Sequence, residues 1–239
     1  MESSILTVPR LEKIPGLVHG FGRRDFGLAG LRRVAAGHRA EVVLLDQIHS
    51  DFVRVISKAP SAKLSGDALA TGTAGLILAV KTADCLPILI ADGQGRAVAA
   101  VHAGWRGTAR GIAGWAALTL VQEFGLNPAG LIAALGPSIG ASCYEVGEDV
   151  RREFIDAGSG EEFFRPRPGR PGKYLLDLAA ANAAHLEAAG VRRANIIRDG
   201  RCTHCRPEFH SYRRDRDARR RLYNFIGLVQ GPGPDRMTA

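Results

Sequence analysis

Nine short apolar runs, each closed off by turn-forming residues, constrain this chain of 239 residues more than any other feature. They fall at 17–21, 41–46, 52–56, 76–81, 87–91, 96–101, 130–135, 194–198 and 223–229. Runs of that length, rich in Val, Ile and Leu, read as strands. Only three stretches carry a helical pattern, at 107–124, 147–157 and 174–189. In the first, Ile112, Trp115, Leu118 and Val121 recur every three residues and predict a shared apolar face. Strands outnumber helices and do not alternate strictly with them. The expected class is therefore α/β or α+β, a sandwich of mixed β-sheet covered by helices. No repeat, low-complexity tract or linker divides the chain, so residues 1–239 read as a single domain. The Gly- and Pro-rich stretch 158–172 reads as a long surface loop.

Composition narrows the functional classes. Hydrophobic residues make up 46% and charged residues 23%, which excludes a disordered chain, a collagen-like rod and a small disulfide scaffold. A net charge of +8 favours anionic partners, whether phosphate-bearing small molecules, nucleic acid or an anionic membrane face. The longest apolar stretch, 75–93, is interrupted by Lys81 and Asp84, and the N-terminus lacks the pattern of a secretory signal. A cytoplasmic protein without a membrane partner is expected. In such a protein Cys85, Cys143, Cys202 and Cys205 read as thiols or metal ligands rather than bridges.

Three of the ligand-type residues share one position, the C-terminal exit of a predicted strand. His49 follows EVVLLDQI, Cys85 follows LILAVKTAD and His102 follows RAVAAV. Two imidazoles and a thiolate make a three-ligand set of the kind that leaves zinc a fourth position for water or substrate. Singly, each also fits a packed, hydrogen-bonded core residue. The segment V-H-A-G-W-R-G-T at 101–108 predicts a strand that turns through Gly104 and Gly107 into a helix capped by Thr108. Arg106 beside that helix start would hold an anion, against the bland alternative of a plain connection. G-D-A-L-A-T at 66–71 and A-L-G-P-S-I-G at 134–140 read as turns that could line a pocket with backbone groups, or as turns alone.

Two late stretches are ambiguous. C-T-H-C-R-P-E-F-H at 202–210 offers Cys202, His204, Cys205 and His210 as a small zinc clip, but four ligands within nine residues are cramped. The arginine-rich stretch 211–221 invites a nucleic-acid reading. The interleaved Asp215 and Asp217 favour a solvated, self-paired face instead.

Taken together, Q-I-H at 47–49, G-D-A at 66–68, T-A-D-C-L-P at 82–87, V-H-A-G-W-R-G at 101–107, G-P-S-I-G at 136–140, C-Y-E-V-G at 143–147, C-T at 202–203 and F-H-S-Y-R-R-D at 209–215 resemble the laccase-domain (YfiH-like) family. The resemblance implies a cysteine-hydrolase-like sandwich with zinc held by His49, Cys85 and His102. It implies phosphorolysis of adenosine, inosine, guanosine and methylthioadenosine, with free phosphate as co-substrate, and deamination of adenosine. Arg24, Arg106 and Gly107 are the expected substrate contacts. Asp84 is a candidate proton donor, or an orienting partner of a ligand histidine. Some members of the family are described as copper-dependent polyphenol oxidases, and others as editors of peptidoglycan precursors.

The chain departs from the family pattern at Ser50 and Phe26, where glycines are usual, at Ala218-Arg219-Arg220, and in a shortened stretch between Gly27 and His49. Two rivals stay beside the nucleoside reading. One is a Cys–His amidase in which Cys85 attacks. The other is a true multicopper oxidase, disfavoured because the chain has seven histidines and no His-x-His pair.

Overall fold

The computed structural model describes residues 4–229. Its strands are β1 (Ile5–Leu6), β2 (Leu17–Gly22), β3 (Glu41–Leu44), β4 (Val53–Val55), β5 (Ala68–Thr71), β6 (Leu76–Thr82), β7 (Leu86–Asp92), β8 (Val98–Ala103), β9 (Leu131–Leu135), β10 (Glu145–Gly147), β11 (Phe164–Pro166), β12 (Lys173–Leu176), β13 (Ile196–Arg198) and β14 (Leu222–Leu228). Its α-helices are α1 (Pro9–Glu12), α2 (Leu28–Gly37), α3 (Trp105–Ala109), α4 (Ile112–Phe124), α5 (Glu148–Asp156), α6 (Leu178–Ala188) and α7 (Tyr212–Asp215).

The apolar runs are continuous because their strands are covered on both faces. In β6, Leu76, Leu78 and Val80 point to one core while Ile77 and Ala79 point to another. In β8, Val98 and Ala100 face one way and Ala99 and Val101 the other. Period-two alternation thus divides each run between two cores. The result is an α+β fold with two mixed sheets in place of one. The first sheet has the order β1-β2-β14-β6-β3 and the second β13-β9-β7-β8-β5-β4. Leu78, Val80, Val43 and Ile226 of the first meet Leu89, Val98, Ala100 and Ile132 of the second in the central core.

Helices cover the outer faces. Leu31 and Ala35 of α2 pack on Ile77, Ala79 and Phe225. Ile112, Ala116, Ala117 and Leu120 of α4, with Leu186 of α6, pack on Ile88, Ala99 and Val101. A small third sheet, β10-β12-β11, closes a satellite core with α5 around Phe154, Phe164 and Leu176.

Several expectations are corrected. The helix expected over 107–124 is broken by Gly111 at φ 77°, a left-handed conformation that glycine adopts without steric cost. Its buried face runs through Ile112, Ala113, Ala116, Ala117 and Leu120, and Trp115 is 52% exposed. Thr108 caps nothing; its buried Oγ1 accepts from Asn182 Nδ2 at 2.9 Å. The helix expected from 174 begins only at Leu178, after β12, with Asp177 accepting from Ala180 N as its cap. The expected loop 158–172 contains β11.

Candidate functional site

Both sheets contribute their ends to one cleft. The chain leaving β3 is held against β6 by Gln47, whose Nε2 donates to Lys81 O and whose Oε1 accepts from Lys81 N, each at 2.8 Å. Two residues on, His49 takes a left-handed backbone with φ 59°. Such a conformation costs a non-glycine residue free energy and persists only where neighbours fix it. The neighbour here is Asp67, at the start of β5. Its Oδ2 accepts from Ile48 N at 3.2 Å, Ser50 N at 2.6 Å and Ser50 Oγ at 2.7 Å.

The other oxygen of Asp67 reaches His102. Oδ1 lies 2.8 Å from Nδ1 of the buried His102 ring. A carboxylate on Nδ1 fixes ring orientation and leaves Nε2 to face the cleft. His102 lies within β8 rather than after it, and Cys85 sits in the tight connection between β6 and β7. The donor atoms of His49, Cys85 and His102 all lie within 4.8 Å of one another. The rings of His49 and His102 meet edge to face at 5.0 Å.

Room for this convergence is made at Gly104. A Cβ there would stand 3.1 Å from His49 Cδ2 and 3.3 Å from Cys85 Sγ. Gly107 serves packing, since a Cβ would come 2.7 Å from Ser50 O.

The electrostatics couple these groups. Burial opposes ionisation of the Cys85 thiol, but the charge and hydrogen bonds of His102 and His49 outweigh it and bring the thiol down to about 6. Burial likewise opposes protonation of His102, yet Cys85 and Asp67 raise it to about 9. Asp67 is brought down to about 2: its burial is outweighed by His102 and the Ser50 donors. Without a metal, Cys85 and His102 thus form a thiolate–imidazolium pair. The same two imidazoles and thiolate are a donor set suited to zinc or copper.

The cleft measures about 380 Å³ and is lined by Gln47, Lys81, Ala83, Tyr212, Ala218 and Arg221 together with the three donors. That is within the roughly 300–1,000 Å³ range of small-molecule sites. Lys81 and Arg221 supply cationic groups, and Tyr212 supplies an aromatic face that is 47% exposed. None of these was singled out as a site residue from the sequence. Lys81 had a signal, as a lysine in an otherwise apolar strand. Asp67 had a weaker one, an acid at the start of a strand in G-D-A.

The remaining expected site residues are placed elsewhere. Both carboxylate oxygens of Asp84 are engaged, one by Thr203 Oγ1 at 2.7 Å and one by Arg213 N at 2.6 Å. Asp84, itself left-handed at φ 85°, thus clamps the late segment against the turn that carries Cys85. The histidine-orienting position belongs to Asp67. Arg106 stacks on Trp105 with its guanidinium 4.3 Å from the ring. Arg24 pairs with Asp215 at 3.5 Å. Neither arginine is among the cleft-lining residues. Gly136, Ser138, Ile139 and Gly140 line a separate cavity of about 200 Å³ with Asp177, Asp199 and Arg201.

The arginine-rich stretch turns partly inward. Arg214 donates to the carbonyls of Thr203, His204 and Phe209, and Asp217 pairs with Arg219 and Arg220.

This geometry can be set beside known proteins. A family model described as multi-copper polyphenol oxidoreductase laccase matches residues 29–229. The chain belongs to the laccase-domain family. Among its relatives, a purine nucleoside phosphorylase of Deinococcus radiodurans is 41% identical over 189 residues, which is 79% of this chain and 71% of that protein. The purine nucleoside phosphorylase YfiH of Escherichia coli is 38% identical over 202 residues, covering 83% of this chain and 79% of its own. An adenosine deaminase from an unknown prokaryotic organism is 40% identical over 187 residues, covering 73% and 70%. The crystal structure of a Bacillus licheniformis YfiH protein superposes with a TM-score of 0.84 at 28% identity, covering 94% of this laccase-domain chain and 96% of its own. YlmD of Geobacillus stearothermophilus gives 0.81 at 30% identity, with 96% and 98% covered.

Proposed function

We propose that this laccase-domain protein is a purine nucleoside phosphorylase with adenosine deaminase activity, acting in the Cys85 cleft. The observation that carries the reading is the convergence of His49, Cys85 and His102 within 4.8 Å in a cleft that also holds Lys81, Arg221 and Tyr212. Relatives named purine nucleoside phosphorylase and adenosine deaminase support it. The substrates are adenosine, inosine, guanosine and methylthioadenosine, with phosphate as nucleophile.

The residues present fit a metal, with zinc as the resident ion and copper as the alternative. Three donors converge, the Nδ1 of His102 is held from behind, and Gly104 leaves the space open. His49, Cys85 and His102 would hold such an ion, which would supply Lewis-acid polarisation and a more acidic water for deamination.

The rest is the work of side chains. Lys81 and Arg221 bind and orient phosphate, so that its oxygen bonds to ribose C1′ as the C1′–N bond to the purine breaks. The electron pair goes to the base, which takes up the proton that the attacking hydrogen phosphate gives up. Tyr212 lies against the base and limits its exposure to water. Asp67 holds both histidines in register.

A second reading rests on the thiolate–imidazolium pair, which is the equipment of a Cys–His hydrolase acting on amides. Both are tested by following adenosine chromatographically, with and without phosphate, using wild type and Cys85→Ala. Phosphate-dependent adenine, or inosine, from wild type alone supports the nucleoside enzyme. Absence of both products from metal-loaded protein overturns it, and amide hydrolysis that survives chelation selects the hydrolase.

A further inference from the structure

We propose that Cys143, Cys202, His204 and Cys205 form a second metal site, a closed Cys₃His clip for Zn²⁺ that lies outside the Cys85 cleft. Cys143 Sγ lies 3.3 Å from Cys205 Sγ. The donor atoms of Cys143, His204 and Cys205 all fall within 4.8 Å of one another. Cys202, three residues before Cys205 in the same loop, lies outside that 4.8 Å group and supplies a third sulfur on rotation of its side chain. Donors around a tetrahedral zinc stand roughly 3.5–3.8 Å apart, given zinc–sulfur bonds of about 2.3 Å and zinc–nitrogen bonds of about 2.0 Å. Small side-chain rotations therefore bring this group onto a common centre.

Backbone geometry supports the assignment. Cys202 Sγ accepts from Gly140 N at 3.2 Å. A neutral thiol is a weak acceptor, so an N–H aimed at this sulfur suits a thiolate ligand, which such a partner orients and stabilises.

The chain supplies the ligands from two knuckles. β9 and β13 are parallel neighbours, so the loops beyond them run side by side. Ser138 and Thr203 join those loops, with Thr203 N donating to Ser138 O at 2.9 Å. Cys143 comes from the first loop, and Cys202, His204 and Cys205 from the second, 62 residues away at the Cys143–Cys205 contact. This removes the crowding of four ligands within nine residues. His210, the fourth residue of that sequence-based set, lies instead beside Arg24 and Arg220, whose charges act on its ring.

Sulfur-rich sites select zinc over oxygen-preferring cations, and four protein ligands leave no open position, which marks a structural site. The clip would brace the wall of the cleft. Thr203, between two of its ligands, holds Asp84 at 2.7 Å, and Tyr144 follows Cys143 directly.

The test separates this site from the first by working in Cys85→Ala. Full-length Cys85→Ala and Cys85→Ala/Cys143→Ser/Cys205→Ser are loaded with Zn²⁺, desalted and assayed for metal. The expected result is one zinc ion per chain in the first and none in the second. Co²⁺ loading of the first should give thiolate-to-cobalt charge-transfer absorption that the second lacks. His204→Ala in the same background keeps three sulfurs and tests the site if the triple variant does not fold; its zinc affinity should drop at least tenfold. Equal zinc content in all three proteins overturns the proposal, and so does a Cys143–Cys205 disulfide in Cys85→Ala purified with Zn²⁺. No readout involves nucleoside turnover, so failure here is distinct from failure of the catalytic reading.

Discussion

Asp67 Oδ1 stands 2.8 Å from Nδ1 of His102, while its second oxygen holds the backbone on both sides of His49. One buried carboxylate thus sets two imidazoles, one from the loop after β3 and one from β8. Asp67→Asn keeps the shape but replaces one acceptor oxygen with a donor that faces other donors. Loss of such a partner weakens metal binding by about 10–100-fold. Competition against a chelator should show this drop in Asp67→Asn; an unchanged affinity would remove Asp67 from its orienting position.

Gly104 offers a test with little backbone cost, because its φ of −75° and ψ of 169° suit any residue. Gly104→Ala would push a methyl toward His49 and Cys85, which stand 3.1 and 3.3 Å from the added carbon. Circular dichroism should be unchanged while metal loading and turnover fall together. A fully loaded, fully active Gly104→Ala would show that the three donors do not converge as described.

Lys81 and Arg221 are expected to separate phosphate from nucleoside in kinetics. Lys81→Ala or Arg221→Ala should raise KM for phosphate by at least tenfold, with a much smaller effect on adenosine deamination, which uses no phosphate. Each lost charge-assisted contact is worth roughly 1.5–3 kcal/mol. If both reactions fall equally, these cations bind the nucleoside or maintain the cleft instead.

Stability should decline as pH falls below neutrality. Burial holds His19, His185 and His210 below their ordinary value of 6.5, aided at His210 by Arg24 and Arg220. His19 Nε2 also accepts from Val8 N at 2.9 Å, which requires the neutral ring. Under acid the unfolded chain takes up protons that the folded chain refuses. The stability these histidines contribute is therefore complete above about pH 6.5 and is lost as pH falls through their lowered folded values. Urea midpoints at about pH 7.5 and 5.5 should show the loss, and His19→Gln, which keeps an acceptor, should show a smaller one. An equal loss in both proteins would exclude His19.

The strands were legible because burial on two faces writes itself as unbroken apolar runs, and β6, β7 and β14 appear within a residue or two of those runs. β5 reads in the sequence as part of a turn, since Ala68–Thr71 is short and follows Gly66. α2 carries no clear helical signal, because Gly30 and Gly37 lie within Leu28–Gly37 and only Gly30, Leu31 and Ala35 are buried. In α4 the alanines carry the packing, so the larger Trp115 misdirected the choice of face. His49, Cys85 and His102 could be singled out by residue type and strand position. Asp67 could not, because what distinguishes it is a partner 35 residues away in sequence. Cys143 was separated from its cysteine neighbours for the same reason, as only the parallel pairing of β9 and β13 brings them together.

Gln47 has a wider consequence. Its amide fills the place of a strand residue beside Lys81, donating and accepting at 2.8 Å where β3 has already ended. The solvent exchange of the Lys81 amide hydrogen is thereby governed by a side-chain rotamer, whereas its neighbours in β6 answer to the sheet as a whole. Isotope labelling at that one amide would act as a local clock for the opening of the cleft wall, ticking independently of global unfolding.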